Sequence, residues 1–347
     1  MSKPSLTPQS KQGRFWSLFL LLSLLTLAGI YISLTNGTFD LTVKDVVRTL
    51  LRINPVEDYD LVIFEFRLPR IVLGALVGFG LGIAGAVLQG ISRNTLADPG
   101  ILGIHAAAGA FVVLFMFFTA GTMQAPAWLS VLSMPMFGFI GGLIAVILLF
   151  VFARSHGEFH PQQLILVGIA LASGFGAVTL YISLKMDPQN FELATVWLAG
   201  SISNANWRQI MSTLPWLVIL TPIIWRRGAV LDLMQLHEVS VKGVGVATGR
   251  ERQILLLCCV GLVSACVSVS GSIGFVGLIA PHIARRLIGN TYRYIIPLCG
   301  MIGMLMVVLA DFIGKTVFAP AQLPVGIVIS IIGVPYFILL LFKARVR

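Results

Sequence analysis

Ionisable side chains are scarce in this 347-residue chain, and where they fall limits the chemistry open to it. His237 and Glu238 adjoin in "HEVSVKG", residues 237–243, but the second histidine that would complete a helical zinc site is missing. The four cysteines, Cys258, Cys259, Cys266 and Cys299, all lie in apolar stretches with no Cys-x-x-Cys or Cys/His pairing. They read as small buried thiols, not as metal ligands. "GFGLGIAG", residues 78–85, imitates a dinucleotide fingerprint but sits inside a long apolar run with no strand before it. There is no Gly-x-Ser-x-Gly elbow and no Walker A lysine loop. Asp311 and Lys315 stand four apart and are expected to pair on one helix, His282 is expected to be a packed polar residue, and Asp98 before Pro99 reads as a helix cap. The chain is therefore not expected to be an enzyme, and no cofactor or metal is expected.

The elements that hold these few groups are membrane helices. Hydrophobic residues make up 57% of the chain and charged ones 11%, with a mean hydropathy of +0.94. A soluble domain of this size does not bury so much apolar sequence, so the expected fold is an all-α polytopic membrane protein. Apolar windows at 15–34, 68–91, 99–119, 128–152, 163–184, 208–225, 251–271, 273–287, 293–314 and 324–342 give ten spans, the eighth of them short. The net charge of +10 fits a bilayer better than nucleic acid. With the N-terminus inside, 16 of the 24 Lys and Arg fall on inner segments, and the even span count returns the C-terminus to the same side.

Residues 1–14 then form a cytoplasmic tail and 15–347 a single transmembrane domain. The outer loop 35–67 carries "FDLTVKDVVRTLLRI", apolar at helical spacing, which predicts a short interfacial helix. The inner connection 226–250 is basic, amphipathic and too long for a plain helix–helix turn. Pro324 is expected in the first turn of the tenth span, and Pro281 and Pro335 are expected to kink or interrupt theirs. An ion-coupled transporter would place ionisable groups near the midplane. These spans carry almost none, which points to energy supplied by another chain.

The second span is the richest in pattern. In "RLPRIVLGALVGFGLGIAGAVLQG", residues 67–90, Gly74, Gly78, Gly82, Ala86 and Gly90 recur every fourth residue. Five small residues on one face allow close backbone packing between membrane helices.

Residues 67–109, together with "VWLAGSISNANW" (196–207), "GSIGFVGLIAPHIARRLIG" (271–289) and "LPVGIVISIIGVPYFILLL" (323–341), closely resemble the FecCD-type permease family. These are membrane subunits of ATP-binding-cassette (ABC) importers for iron–siderophores, haem or vitamin B12. The resemblance implies a ten-helix, type II ABC importer permease fold in the bacterial cytoplasmic (inner) membrane. Its implied partners are two ATPase subunits, a second permease (a like copy or a paralogue) and an extracytoplasmic substrate-binding protein. The cargo expected first is a ferric siderophore. The alternatives are haem or vitamin B12 or, in a different class, an ion-coupled secondary transporter.

Residue by residue, the resemblance places Arg67, Arg70 and Lys315 (arginine in relatives) at the binding-protein docking surface, against plain headgroup anchoring as the alternative for the arginines. It places Leu236, Glu238 and Gly245 at the ATPase coupling contact, and Asn94 and Leu96 at a cytoplasmic gate. His237 stands where relatives usually have glycine, Val239 where a second acid is common, and Thr95 where proline is usual.

Overall fold

The computed structural model describes residues 8–345 except 38–40, 54–55, 120–126, 156–157, 160, 237 and 244. Among the described residues the chain is helical apart from a two-residue antiparallel strand pair, Arg154–Ser155 with Glu158–Phe159. The helices are α1 (Pro8–Thr35), α2 (Val43–Leu50), α3 (Glu57–Asp60), α4 (Leu68–Ser92), α5 (Ile104–Thr119), α6 (Ala127–Phe152), α7 (Pro161–Ser183) and α8 (Pro188–Leu198), followed by α9 (Trp207–Arg226), α10 (Gly228–Leu233), α11 (Glu238–Gly243), α12 (Thr248–Ser270), α13 (Val276–Ile288), α14 (Tyr292–Thr316) and α15 (Val325–Arg345). The ten expected spans correspond to α1, α4, α5, α6, α7, α9, α12, α13, α14 and α15. Six helical segments among the described residues are long and apolar enough to cross a bilayer by length and composition; α5 and α15 are shorter apolar helices. α9 is framed by Trp207 and Trp225, whose indole N–H groups donate to the carbonyls of Phe64 and Arg293 at opposite ends of the bundle.

α4 lies at the centre: its most apolar stretch is 83% buried, as is that of α12, against 11% for α7. Its small face runs along α14. A Cβ on Gly78 would overlap the Gly303 carbonyl, a Cβ on Gly303 would overlap the Gly78 carbonyl, and Gly82 meets the Cys299 carbonyl in the same way. Gly74 faces Ile202, Gly90 faces Leu231 and Tyr292, and Ala86 is fully buried among Ala280, Ala284 and Cys299. The buried cysteines serve this packing, with the Cys259 thiol donating to the Ala84 carbonyl at 3.3 Å.

Several local expectations are corrected. Asp98 does not cap the third span: it caps a separate 3-10 turn, Pro99–Leu102, by accepting from the Gly100 N–H, and Gly103 at φ 76° breaks the chain before α5. Pro281 does not interrupt α13. Proline removes one donor from the i→i−4 ladder, and the carbonyl this frees, that of Gly277, accepts instead from Gln89 Nε2 at 3.3 Å. α15 likewise continues through Pro335, and Pro324 sits just ahead of it, its carbonyl accepting from Ile327 and Val328.

The outer segment behaves as expected at α2, where Thr42 and Asp45 form a capping box. Beyond it, α3 runs through a π-helical stretch, Leu61–Arg67, directly into α4.

Three irregular segments meet where α8, α12 and α15 end or begin. Gly200 and Gly271 take φ 80° and 67°, Phe275 takes φ 64° at the start of α13, and Gly326 N–H donates to the Gly200 carbonyl at 2.9 Å. This break explains why the eighth span, α13, has only 13 residues.

The packing of α4 on α14 gives a direct test. Gly78→Leu should lower the melting temperature of the detergent-purified protein sharply, because overpacking a full core costs about 1–3 kcal/mol and the obstacle here is backbone. Gly174→Ala on α7, where nothing lies within 4 Å, should stay within about 0.5 kcal/mol of wild type. Equal melting temperatures for the two variants would mean that α4 and α14 do not touch as described.

Candidate functional site

At one end of the bundle the start of α4 and the end of α14 bring Arg67, Arg70 and Lys315 to a single cavity of about 470 Å³, which Ser203, Asn204 and Gln322 also line. Each cation is fastened by its own chain. Arg67 donates to the Leu34 carbonyl at the end of α1. Lys315 Nζ donates to the carbonyl and hydroxyl of Ser33 at 2.7 and 2.8 Å. Arg70 spreads its guanidinium between Asp311, Nε to Oδ1 at 2.8 Å, and Gln322, Nη1 to Oε1 at 2.8 Å.

The expected Asp311–Lys315 pair is thereby corrected: Asp311 pairs with Arg70 across helices. The glycine face seats α4 on α14 so that the planar fork of Arg70 reaches Asp311, which is only 2% exposed. With that carboxylate neutralised, three cations and one anion leave the cavity electropositive.

The opposite end is organised by the two helical turns of the 226–250 connection. α10 packs beneath α4 and α14, with Leu231 buried and the Asp232 carboxylate accepting from the Tyr292 N–H at 2.8 Å to cap α14. Partial burial raises the Asp232 pKa, and that hydrogen bond works against the rise. Leu236 is 52% exposed, Gly245 takes φ 84° with nothing within 4 Å, and Glu238 opens α11. His237, the Glu238 side chain and the Val239 side chain lie outside the described detail.

The turn after α4 is held locally: Asn94 Oδ1 accepts from Leu96 N–H at 2.9 Å, and the Asn94 carbonyl accepts from Ala97 N–H at 3.1 Å. The two inner groups of residues singled out in the sequence, Asn94 and Leu96 on one side and Leu236 on the other, are neighbours through Arg93. That arginine donates from Nε to the Met234 carbonyl at 2.6 Å and from Nη2 to the Leu236 carbonyl at 2.7 Å.

Sequence reasoning missed Arg93, Gln235 and Gln89. Gln235 Nε2 donates to the Gly90 carbonyl at 3.0 Å, and the buried Gln89 bridges Arg285 to the α13 backbone. The available signal was a polar residue inside or ending an otherwise apolar, glycine-rich helix, where an amide must find a partner. His282, expected to be packed, lies edge-on to Tyr336 at 5.7 Å between ring centroids. Among the described residues no group of three or more His, Cys, Asp or Glu could hold a metal.

The chain is 51% identical over 315 residues to the iron-uptake system permease protein FeuC of Bacillus subtilis, covering 91% of this chain and 94% of that one. It is 43% identical over 322 residues to the iron(3+)-hydroxamate import system permease protein FhuG of the same organism, covering 93% and 95%. It is 34% identical over 284 residues to the Fe(3+) dicitrate transport system permease protein FecD of Escherichia coli, covering 82% and 86%. Among solved structures, a metal-chelate type ABC transporter in an inward-facing conformation superposes with a TM-score of 0.81 at 28% identity, covering 95% of this chain and 99% of that one. Residues 25–343 match the FecCD transport family. With that match spanning nearly all of the helical bundle, this multi-pass membrane chain belongs to the FecCD transport family.

Proposed function

We propose that the chain is the permease subunit of an ABC importer that carries an iron(III) chelate, with ferric siderophore as the substrate class. In this reading a partner permease completes the path, a substrate-binding protein delivers the chelate to the Arg67 end, and separate ATPase subunits drive transport from the α10–α11 end. Both termini face the cytoplasm of the bacterial cell. The observation that carries the reading is the division of labour between the ends. One presents a basic cavity and the other an exposed helical connection, and the buried carboxylate at the Arg67 end is already paired. The iron-linked names of the relatives support the cargo class. The exposed apolar face of α7, including Leu166, Ile169, Leu180 and Tyr181, supports a partner or lipid on that side.

The orientation predicts that cysteines placed at Ser240 and Lys44 label from opposite faces of the membrane with an impermeant maleimide. The four native thiols are buried and add little background. Labelling from one face would overturn both end assignments.

For docking, Arg67→Glu should reduce binding-protein association and uptake, with the wild-type contact weakening as salt rises. Arg70 needs a different design, because removing one partner of a buried pair costs about 3–5 kcal/mol. The Arg70→Asp/Asp311→Arg exchange keeps a pair in place while it moves the charge away from the rim. Normal transport by correctly inserted Arg67→Glu would reduce that arginine to a membrane anchor.

For coupling, Glu238→Arg should leave the protein inserted while separating ATP hydrolysis from uptake. Unchanged uptake per ATP would move the contact elsewhere on the loop.

A further inference from the structure

We propose that Arg93 is a positioning residue that makes the turn 94–98 move with the α10–α11 connection, so that displacement of the connection is delivered to the turn. This rests on the reading of 226–250 as the ATPase contact and identifies the link that contact would use.

The linkage is built from both sides. Arg93 ends α4 in the left-handed conformation, φ 52° and ψ 24°, one of three non-glycine residues with positive φ among the described residues. Arginine has no local side-chain bond to favour that conformation, as asparagine or aspartate would. A strained backbone persists where the surroundings over-determine it, and the constraint here is the side chain. One edge of the guanidinium, Nε and Nη2, engages two carbonyls of the other segment, those of Met234 and Leu236. These lie just past α10, where helix-end carbonyls lack intrahelical donors and carry partial negative charge.

Gln235 completes the exchange in the other direction. Its Nε2 donates to the Gly90 carbonyl, one of the last carbonyls of α4. Each segment thus satisfies the helix end of the other.

Below the linkage the two sides differ. The turn is tied internally by Ser92, Asn94 and Asp98, whose side-chain oxygens accept from the backbone of Asn94, Leu96 and Gly100. It can therefore shift as a unit. Beyond Leu236 the chain enters α11, where Ser240 and Gly243 are exposed. A partner acting there pulls on the carbonyls that Arg93 holds, and Asn94 and Leu96 follow directly after Arg93.

The test compares Arg93→Gly, which tolerates the positive φ and deletes the fork, with Arg93→Lys, which keeps the charge but offers a point donor. Each variant is assembled with its ATPase subunits in proteoliposomes, with spin labels on cysteines at Thr95 or Ser240, and is challenged with a non-hydrolysable ATP analogue and magnesium. In the wild-type sequence both positions should change mobility. In Arg93→Gly the Ser240 response should persist and the Thr95 response should disappear. Uptake of a ferric hydroxamate per ATP hydrolysed should fall by about tenfold or more, and Arg93→Lys should lie between.

A Thr95 response in Arg93→Gly equal to wild type overturns the proposal. So does a lower melting temperature with unchanged uptake per ATP, which is the signature of a purely structural cap. Should Arg93→Gly fail to insert, Arg93→Lys decides by the same two readouts. Loss of the nucleotide response at Ser240 in the wild-type sequence would refute the ATPase-contact reading itself, and the Arg93 proposal with it. That outcome is distinct from a Ser240 response that never reaches Thr95.

Discussion

The structure depends on the absence of side chains between two backbones. Where Gly78 meets Gly303 and Gly82 meets the Cys299 carbonyl, α4 and α14 approach more closely than any Cβ would permit. In a bilayer the hydrophobic effect does not drive helices together, so close van der Waals contact of this kind must supply the cohesion. It also fixes the axial register of the two helices. Arg70 on α4 reaches Asp311 on α14 in the register that the glycine face sets. Gln89 and Arg93 leave the same helix toward α13 and the α10–α11 connection. At 25 residues, α4 is a rod of about 37 Å that runs from the Arg67 end to the turn before Pro99.

The polar groups inside the bundle are of two kinds. Buried hydroxyls such as Thr213 and Ser270 donate back along their own helices, whereas the groups that organise the ends are answered across helices. Asp311 takes Arg70 rather than Lys315, the Gly277 carbonyl freed by Pro281 takes Gln89, and the α14 N-terminus takes Asp232. Breaking any of these leaves a desolvated group without a partner, which costs more than the intact bond contributes. They therefore specify which helix sits beside which, a task that lipid-like apolar surfaces perform poorly.

The ten spans were legible because hydropathy and length are properties of contiguous sequence, and the glycine repeat of α4 was legible because its period is local. The short helix in the 35–67 segment was legible from its apolar spacing for the same reason. The pairings that organise the two ends were not legible, since Arg70 and Asp311 are 241 residues apart and Arg93 and Met234 are 141 apart. The i+4 spacing of Asp311 and Lys315 pointed to the wrong pair because intrahelical spacing carries no information about a neighbouring helix. The π-helical run from Leu61 to Arg67 was placed in the outer loop 35–67, although its backbone joins α4 without a break. The family resemblance implied roles for Arg67, Asn94 and Leu236. The structure supplies their fastenings.

The three irregular segments that meet near Gly200, Gly271 and Gly326 carry a mechanical consequence. Non-helical backbone is admissible inside a bilayer only where protein covers it, and here each segment is covered by the other two. One backbone hydrogen bond, Gly326 N–H to the Gly200 carbonyl, joins two of the segments directly. α8, α12, α13 and α15 all start or stop at this stratum, so a tilt of any of them about it opens no i→i−4 ladder. α4 and α14, welded along their length, cannot tilt in this way. The bundle thus divides into a stiff keel and a set of hinged staves that share one pivot level.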